Sequence, residues 1–124
     1  MPIDPTLPYD DQNIFAKVLR GELPSKKVYE DEWALAFHDI NPQAPVHILV
    51  VPKGNYVSWD DFSAKASDSE IAGFSRAVGQ VAREAGLVKP GYRVLYNVGH
   101  NGGQEIAHLH AHIFGGRALG RMVG

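Results

Sequence analysis

The 124-residue sequence predicts an α+β domain, an antiparallel five-stranded sheet carrying a short N-terminal helix and one long helix. Three observations lead there. Short strand-like segments follow one another through links of hairpin length, which favours antiparallel pairing. Two stretches repeat apolar residues with a helical period, so helices are few and are expected on one face of the sheet. No internal repeat or low-complexity run interrupts this order.

The first helix is read over Asn13 to Arg20, where Ile14, Phe15, Val18 and Leu19 form the apolar stripe, Gly21 can cap it and Pro24 follows. Val28 to Glu30 and Trp33 to Ile40 read as a hairpin turning at Glu30-Asp31-Glu32, with Trp33, Leu35 and Phe37 alternating along one face. Asn41-Pro42-Gln43-Ala44-Pro45 must be a loop, because prolines so close together deny the backbone its donors. Val46 to Val51 is apolar except at His47, as expected of a central strand buried on both faces, and Pro52 ends it. Trp59, Asp60 and Asp61 fall in a link and read as structural or surface residues. Ser67-Asp68-Ser69-Glu70 has capping-box spacing, and the helix it opens places Ile71, Phe74, Val78, Val81, Ala82 and Ala85 on one side before Gly86 stops it. Tyr92 to Asn97 is a fourth strand, Val98 to Glu105 a loop, and Ile106 to Phe114 the fifth strand.

Length and composition point to a single domain over residues 1–124, with 1–12 a loose N-terminal segment. A formal net charge of −2 without long basic runs argues against nucleic acid as partner, while leaving room for a small phosphate ligand. No apolar stretch has the length of a membrane span, and Met1 to Asp10 is polar and proline-rich where a secretory signal would be cationic and then apolar, so a cytoplasmic protein is expected. The absence of cysteine removes thiolate catalysis, disulfides and cysteine-based zinc sites together.

Function is most legible in His108-Leu109-His110-Ala111-His112-Ile113-Phe114, which holds three of the six histidines in strict alternation with apolar residues. On a strand, residues two apart share a face, so the three imidazoles point one way and Leu109, Ala111 and Ile113 point into the core. A lone histidine in such a strand is ordinarily just a half-exposed polar residue. Three together suit metal binding or nucleophilic catalysis. Residues four apart on a strand lie about 13 Å from each other, so His108 and His112 cannot share one ion; a metal would need His110, one neighbour, and His47 or a carboxylate. Nucleophilic catalysis fits the spacing better, with His110 attacking while its neighbours bind substrate and hold the tautomer. No metal or other cofactor is expected. Ahead of the triad, Asn97 to Gln104 supplies three glycines whose backbone can approach an anion, although Asn101-Gly102 also suits a plain hairpin turn. Asp39, after His38 at a strand end, can bridge the vicinal hydroxyls of a ribose or simply be solvated. His47 needs a partner, in the backbone or in the site, because an unpaired buried polar group costs about 1–3 kcal/mol.

Taken together, Asn13-Ile14-Phe15, Arg20-Gly21-Glu22-Leu23-Pro24, Phe37-His38-Asp39-Ile40, Pro42-Gln43-Ala44-Pro45-Val46-His47, Gly102-Gly103-Gln104, the triad and Gly115-Gly116-Arg117 resemble the histidine triad (HIT) family, most closely its Hint branch of nucleotide-binding phosphoramidases. The resemblance covers nearly the whole chain and implies a HIT-like fold. It further implies a purine nucleotide, an AMP or GMP derivative, in a pocket lined by Ile14, Phe15, Val18, Phe37, His38, Ile40 and Leu49, with Asp39 on the ribose and Asn97, Gly103, Gln104, His110 and His112 around the phosphate. His110 would then attack the α-phosphorus and expel an amine, His112 would stabilise the phosphoryl oxygens, and His47 and His108 would support them. A homodimer is implied as well. Glu105 stands where eukaryotic members have a serine thought to aid the leaving group, and Ala107 replaces a tyrosine often found before the triad. The expected activity is hydrolysis of P–N bonds in purine nucleoside phosphoramidates, with aminoacyl adenylates as further candidates. The alternatives are a Fhit-like dinucleoside polyphosphate hydrolase and a non-catalytic nucleotide-binding module.

Overall fold

A computed structural model describes residues 3–123. Met1, Pro2 and Gly124, the ends of the expected single domain, lie outside the described residues. The sheet has five antiparallel strands: β1 (Lys27–Glu30), β2 (Ala34–His38), β3 (Val46–Pro52), β4 (Arg93–Leu95) and β5 (Ala111–Gly115). Their order is β1-β2-β3-β5-β4, which puts β3 at the centre as its apolar run predicts. The helices are α1 (Ile14–Leu19), α2 (Trp59–Lys65), α3 (Asp68–Glu84) and the single turn α4 (Gly99–Gly102).

The long helix forms as its sequence dictates. The Ser67 side chain accepts from the Glu70 N–H, and the Glu70 carboxylate accepts from the Ser67 N–H, so two of the orphan donors at the helix start are satisfied. Gly86, at φ 74°, follows the last turn in the left-handed conformation that glycine adopts without a steric cost. The same device opens α2, where Ser58 and Asp61 make a capping box. Reading Trp59 to Asp61 as a link is therefore corrected: the serine three residues before a carboxylate was the signal. Phe62 of α2 is fully buried, and Trp59 stacks on Tyr96 at 4.6 Å.

Helices occupy both faces of the sheet, not one. On the first face Ala34, Ala36, Ile48, Val50, Leu109, Ala111 and Ile113 pack with Phe62, Phe74, Ala77, Val78 and Val81 from α2 and α3. On the opposite face Leu35, Phe37, Leu49 and Val51 meet Phe15 and Val18 of α1. Since β2 and β3 are apolar on both sides, the second side needs its own cover, and α1 supplies part of it. Trp33 also departs from expectation. The Asp31 carboxylate accepts from both the Trp33 and Ala34 N–H groups, a turn that interrupts the alternation, and Trp33 lies against Gly73 of α3 instead of joining Leu35 and Phe37. No helix among the described residues is long and apolar enough to cross a membrane.

β4 and β5 are shorter than the sequence suggests. Ladder pairing of β5 begins at Ala111, opposite Val50, so His108 to His110 precede the strand. Their backbone is used elsewhere: the Leu109 N–H donates to the Tyr56 carbonyl, and the His108 carbonyl accepts from a side chain.

A Cβ at position 73 would fall inside the van der Waals envelope of the Trp33 indole. Helix propensity favours alanine over glycine by about 1 kcal/mol, but overpacking costs about 1–3 kcal/mol. Gly73→Ala should therefore lower the Tm measured by circular dichroism; a raised Tm would show that Trp33 moves aside freely.

Candidate active site

Register decides which side chains meet. Leu49 stands opposite His112 and His47 opposite Phe114, while the Asp39 N–H donates to the His47 carbonyl. Side chains of Asp39, His47 and Phe114 thus form one row on the α1 face, and Phe37, Leu49 and His112 form the next. The His110 ring lies 4.9 Å from that of His112 and meets Phe15 of α1 edge-on at 5.0 Å. Phe114 stacks parallel to His112 at 5.6 Å and closes the row.

The hydrogen bonds fix where each proton sits. The only role a carbonyl can play toward an imidazole nitrogen is acceptor, so His110, with Nδ1 at 2.8 Å from the His108 carbonyl, carries its proton on Nδ1. Its Nε2 is left with an open lone pair. The Gln43 N–H donates to Nδ1 of His47 at 3.1 Å, so the His47 proton is on Nε2. That Nε2–H faces Nδ1 of His112 at 3.0 Å, with an Asp39 carboxylate oxygen 3.3 Å away. Nδ1 of His112 is therefore an acceptor and its proton is on Nε2. Nε2 of His112 is the buried side-chain polar atom that lacks a partner among the described residues. An open lone pair on one ring thus adjoins an unpaired N–H on the next.

Burial keeps these rings neutral. It pushes the His112 pKa down to about 4, helped by the neighbouring His110 and His47, and it lowers His110 and His47 against the opposing pull of the Asp39 carboxylate. His108 is also held at about 4 by burial, which its bond to the Pro52 carbonyl only partly offsets.

Three ligand-type atoms, from Asp39, His47 and His112, lie within 4.8 Å of one another. This set omits His110, which the sequence had placed at the centre of any metal site. Its donors do not fit an ion. A metal on Nε2 of His47 would require the proton on Nδ1, where it would confront the Gln43 N–H.

Other sequence-predicted residues divide. Phe15, Val18, Phe37 and Leu49 come together in one buried apolar cluster beside His110, whereas Ile14 and Ile40 are exposed, and His38, opposite Ile48, alternates onto the other face of the sheet, a correction to its expected place in the pocket. Asp39 is held by the Asn41 N–H on one carboxylate oxygen and faces His47 with the other. Asn97 is half-buried behind α4, and Gly103 and Glu105 are exposed. Gln104 is corrected: its side chain accepts from the Gly99 N–H and donates to the Val57 and Ile106 carbonyls, and its N–H goes to the Gly99 carbonyl. It latches the loop and has no group free for a phosphate. The loop itself contains the helical turn α4. Sequence reasoning missed Gln43, whose backbone orients His47, and Tyr9, whose hydroxyl lies 2.6 Å from Nδ1 of His108. A backbone role leaves no mark in residue type, and nothing local to Tyr9 points across 99 positions.

The family model for the HIT domain matches residues 20–119. The chain belongs to the HIT family. An uncharacterised HIT-like protein of Azospirillum brasilense is 64% identical over 115 residues, covering 93% of this chain and 94% of its own. A purine nucleoside phosphoramidase of Escherichia coli is 39% identical over 113 residues, 91% of this chain and 94% of its own. Among solved structures, a histidine triad protein from Clostridium difficile superposes with a TM-score of 0.79 at 45% identity, covering 89% of this chain and 95% of its own. The α+β fold with its five-stranded antiparallel sheet is that of these HIT proteins.

A histidine whose folded pKa is lowered stabilises the fold fully above its unfolded value near 6.5, and that stability is lost as the pH falls toward the folded value. With His108 at about 4, the fold should lose on the order of 2 kcal/mol between pH 7 and pH 5 through this ring alone. Urea unfolding at the two pH values measures the loss; equal midpoints would mean that His108 is not buried neutral.

Proposed function

We propose that the protein is a HIT-family hydrolase that cleaves the P–N bond of purine nucleoside phosphoramidates through a nucleotidylated His110. The observation that carries the reading is the pairing of an open Nε2 lone pair on His110 with the unpartnered buried Nε2–H of His112. The first is a nucleophile that needs no deprotonation, and the second is a donor without a role until an anionic oxygen arrives. The name of the Escherichia coli relative, purine nucleoside phosphoramidase, supports the same substrate class.

In the proposed reaction the His110 lone pair forms a bond to the α-phosphorus while the P–N bond breaks, and the amine leaves with a proton taken from solvent water. Positive charge that develops on the ring is accommodated at Nδ1–H, already hydrogen-bonded to the His108 carbonyl. The phosphoryl oxygens gain the His112 donor. Water then attacks phosphorus and gives up a proton to solvent, the P–Nε2 bond breaks, and nucleoside monophosphate departs with His110 restored. Phe15, Val18, Phe37 and Leu49 offer the apolar bed for the nucleoside, with the exposed Ile14 and Ile40 flanking it and Asp39 on the ribose hydroxyls. Asn97, Gly103 and Glu105 flank the phosphate and leaving group.

His110→Ala should abolish turnover of an adenosine phosphoramidate, lowering kcat by at least a thousandfold, while AMP still binds within about threefold of wild type. Mass mapping of a rapidly quenched reaction should place a nucleoside monophosphate on the segment containing His110, and EDTA should change nothing. A variant that retains its rate, activity that needs added zinc, or faster turnover of diadenosine triphosphate than of the phosphoramidate would each overturn the assignment.

The working form is proposed to be a cytosolic homodimer. β4 has no strand on its outer edge among the described residues, and it exposes Val94 at 37% with Tyr92 at 40% beside it. An apolar edge of this kind invites pairing with a second copy. Light scattering should give twice the 13.6 kDa chain mass, and a Val94→Lys variant should shift it toward one. A wild-type monomer at micromolar concentration would refute the dimer.

A further inference from the structure

The segment before α1 has no regular secondary structure, yet it is fastened at three points. Pro5 and the Ile3 backbone close over Gly99, so that a Cβ there would lie 3.4 Å from the proline ring. Asn13 caps α1 and also donates to the Asp10 carbonyl. Between these, Tyr9 reaches His108, its hydroxyl 2.6 Å from Nδ1 and its ring edge-on at 5.5 Å.

His108 is 0% exposed, and both its nitrogens are engaged. Nε2–H donates to the Pro52 carbonyl at 2.9 Å, so Nδ1 is an acceptor and the Tyr9 O–H is its donor. The ring therefore offers nothing to a substrate. Its backbone carbonyl does, by holding Nδ1–H of His110 at 2.8 Å. A ring held at both nitrogens resists rotation, and it anchors the main chain of its own residue, whose carbonyl holds His110. Remove the hydroxyl and Nδ1 becomes a buried acceptor without a donor, a state relieved only by tilting the ring or admitting water.

We infer that Tyr9 is a positioning residue: through His108 it holds the carbonyl that sets the tautomer and aim of His110, which makes the N-terminal segment part of the site. The inference rests on His110 being the nucleophile of the proposed reaction.

Tyr9→Phe keeps the ring and deletes the donor. The expected result is a kcat for adenosine phosphoramidate lowered about tenfold or more, with KM and AMP affinity within twofold, because the nucleoside bed is untouched. Long-range 1H–15N spectra at pH 7 should show wild-type His110 as a single Nδ1–H tautomer and His108 as Nε2–H with a hydrogen-bonded Nδ1. In Tyr9→Phe the His108 Nδ1 resonance should move toward that of a free acceptor, and the His110 signals should broaden or mix tautomers. An unchanged kcat with unchanged His110 signals would overturn the inference. So would a free Nδ1 on His108 in the wild type, a measurement that stands even if the variant folds poorly. The spectra need no substrate, so they also separate failure of the positioning role from failure of the hydrolase reading.

Discussion

Two backbone groups decide what the histidines can do. The carbonyl of His108 fixes the proton of His110 on Nδ1, and the N–H of Gln43 fixes that of His47 on Nε2. From these two constraints the remaining protons follow in sequence, through His47 to His112, and leave one lone pair and one unpaired N–H on neighbouring rings whose centres lie 4.9 Å apart. An imidazole free to choose its tautomer would present this pair only part of the time. Main-chain partners remove that choice, and they do so without a charge that would itself need compensation in a buried setting.

The fold exists in a form that delivers those groups to the right place. Gln43 lies in the proline-bounded loop between β2 and β3, four residues before His47, so a short chain segment returns its N–H onto the ring. His108 to His110 stand just before β5, where the ladder has not begun and a carbonyl is free to serve a side chain. Had pairing extended back through His108, that carbonyl would have had a competing ladder partner. The late start of β5 is thus a condition of the site. α1 adds the remaining wall by placing Phe15 against both Phe37 and His110.

Burial supplies the chemistry with its protonation state. Imidazoles in water are partly charged near neutrality, and a protonated His110 has no lone pair with which to attack. Packing among Phe15, Phe114 and the neighbouring rings pushes the cluster toward the neutral form. The same desolvation makes the unpartnered N–H of His112 a stronger attractor for an anionic oxygen than it would be at the surface.

By itself the sequence determined the α+β class, the central apolar strand, the long capped helix and the alternation that sends Leu109, Ala111 and Ile113 into the core, because each is a matter of residue type at a short period. It also singled out His110 and the apolar residues Phe15, Val18, Phe37 and Leu49, whose clustering the strand register and the docking of α1 then produce. It did not reveal that Gln104 is consumed in latching a loop, that Trp33 crosses to Gly73, or that helices cover both faces, since these depend on which surfaces meet after folding. Least legible were the tautomers and the reach of Tyr9 to His108. A backbone carbonyl or N–H is the same at every position, and a contact spanning 99 residues has no local pattern, so only the tertiary structure decides where such groups act.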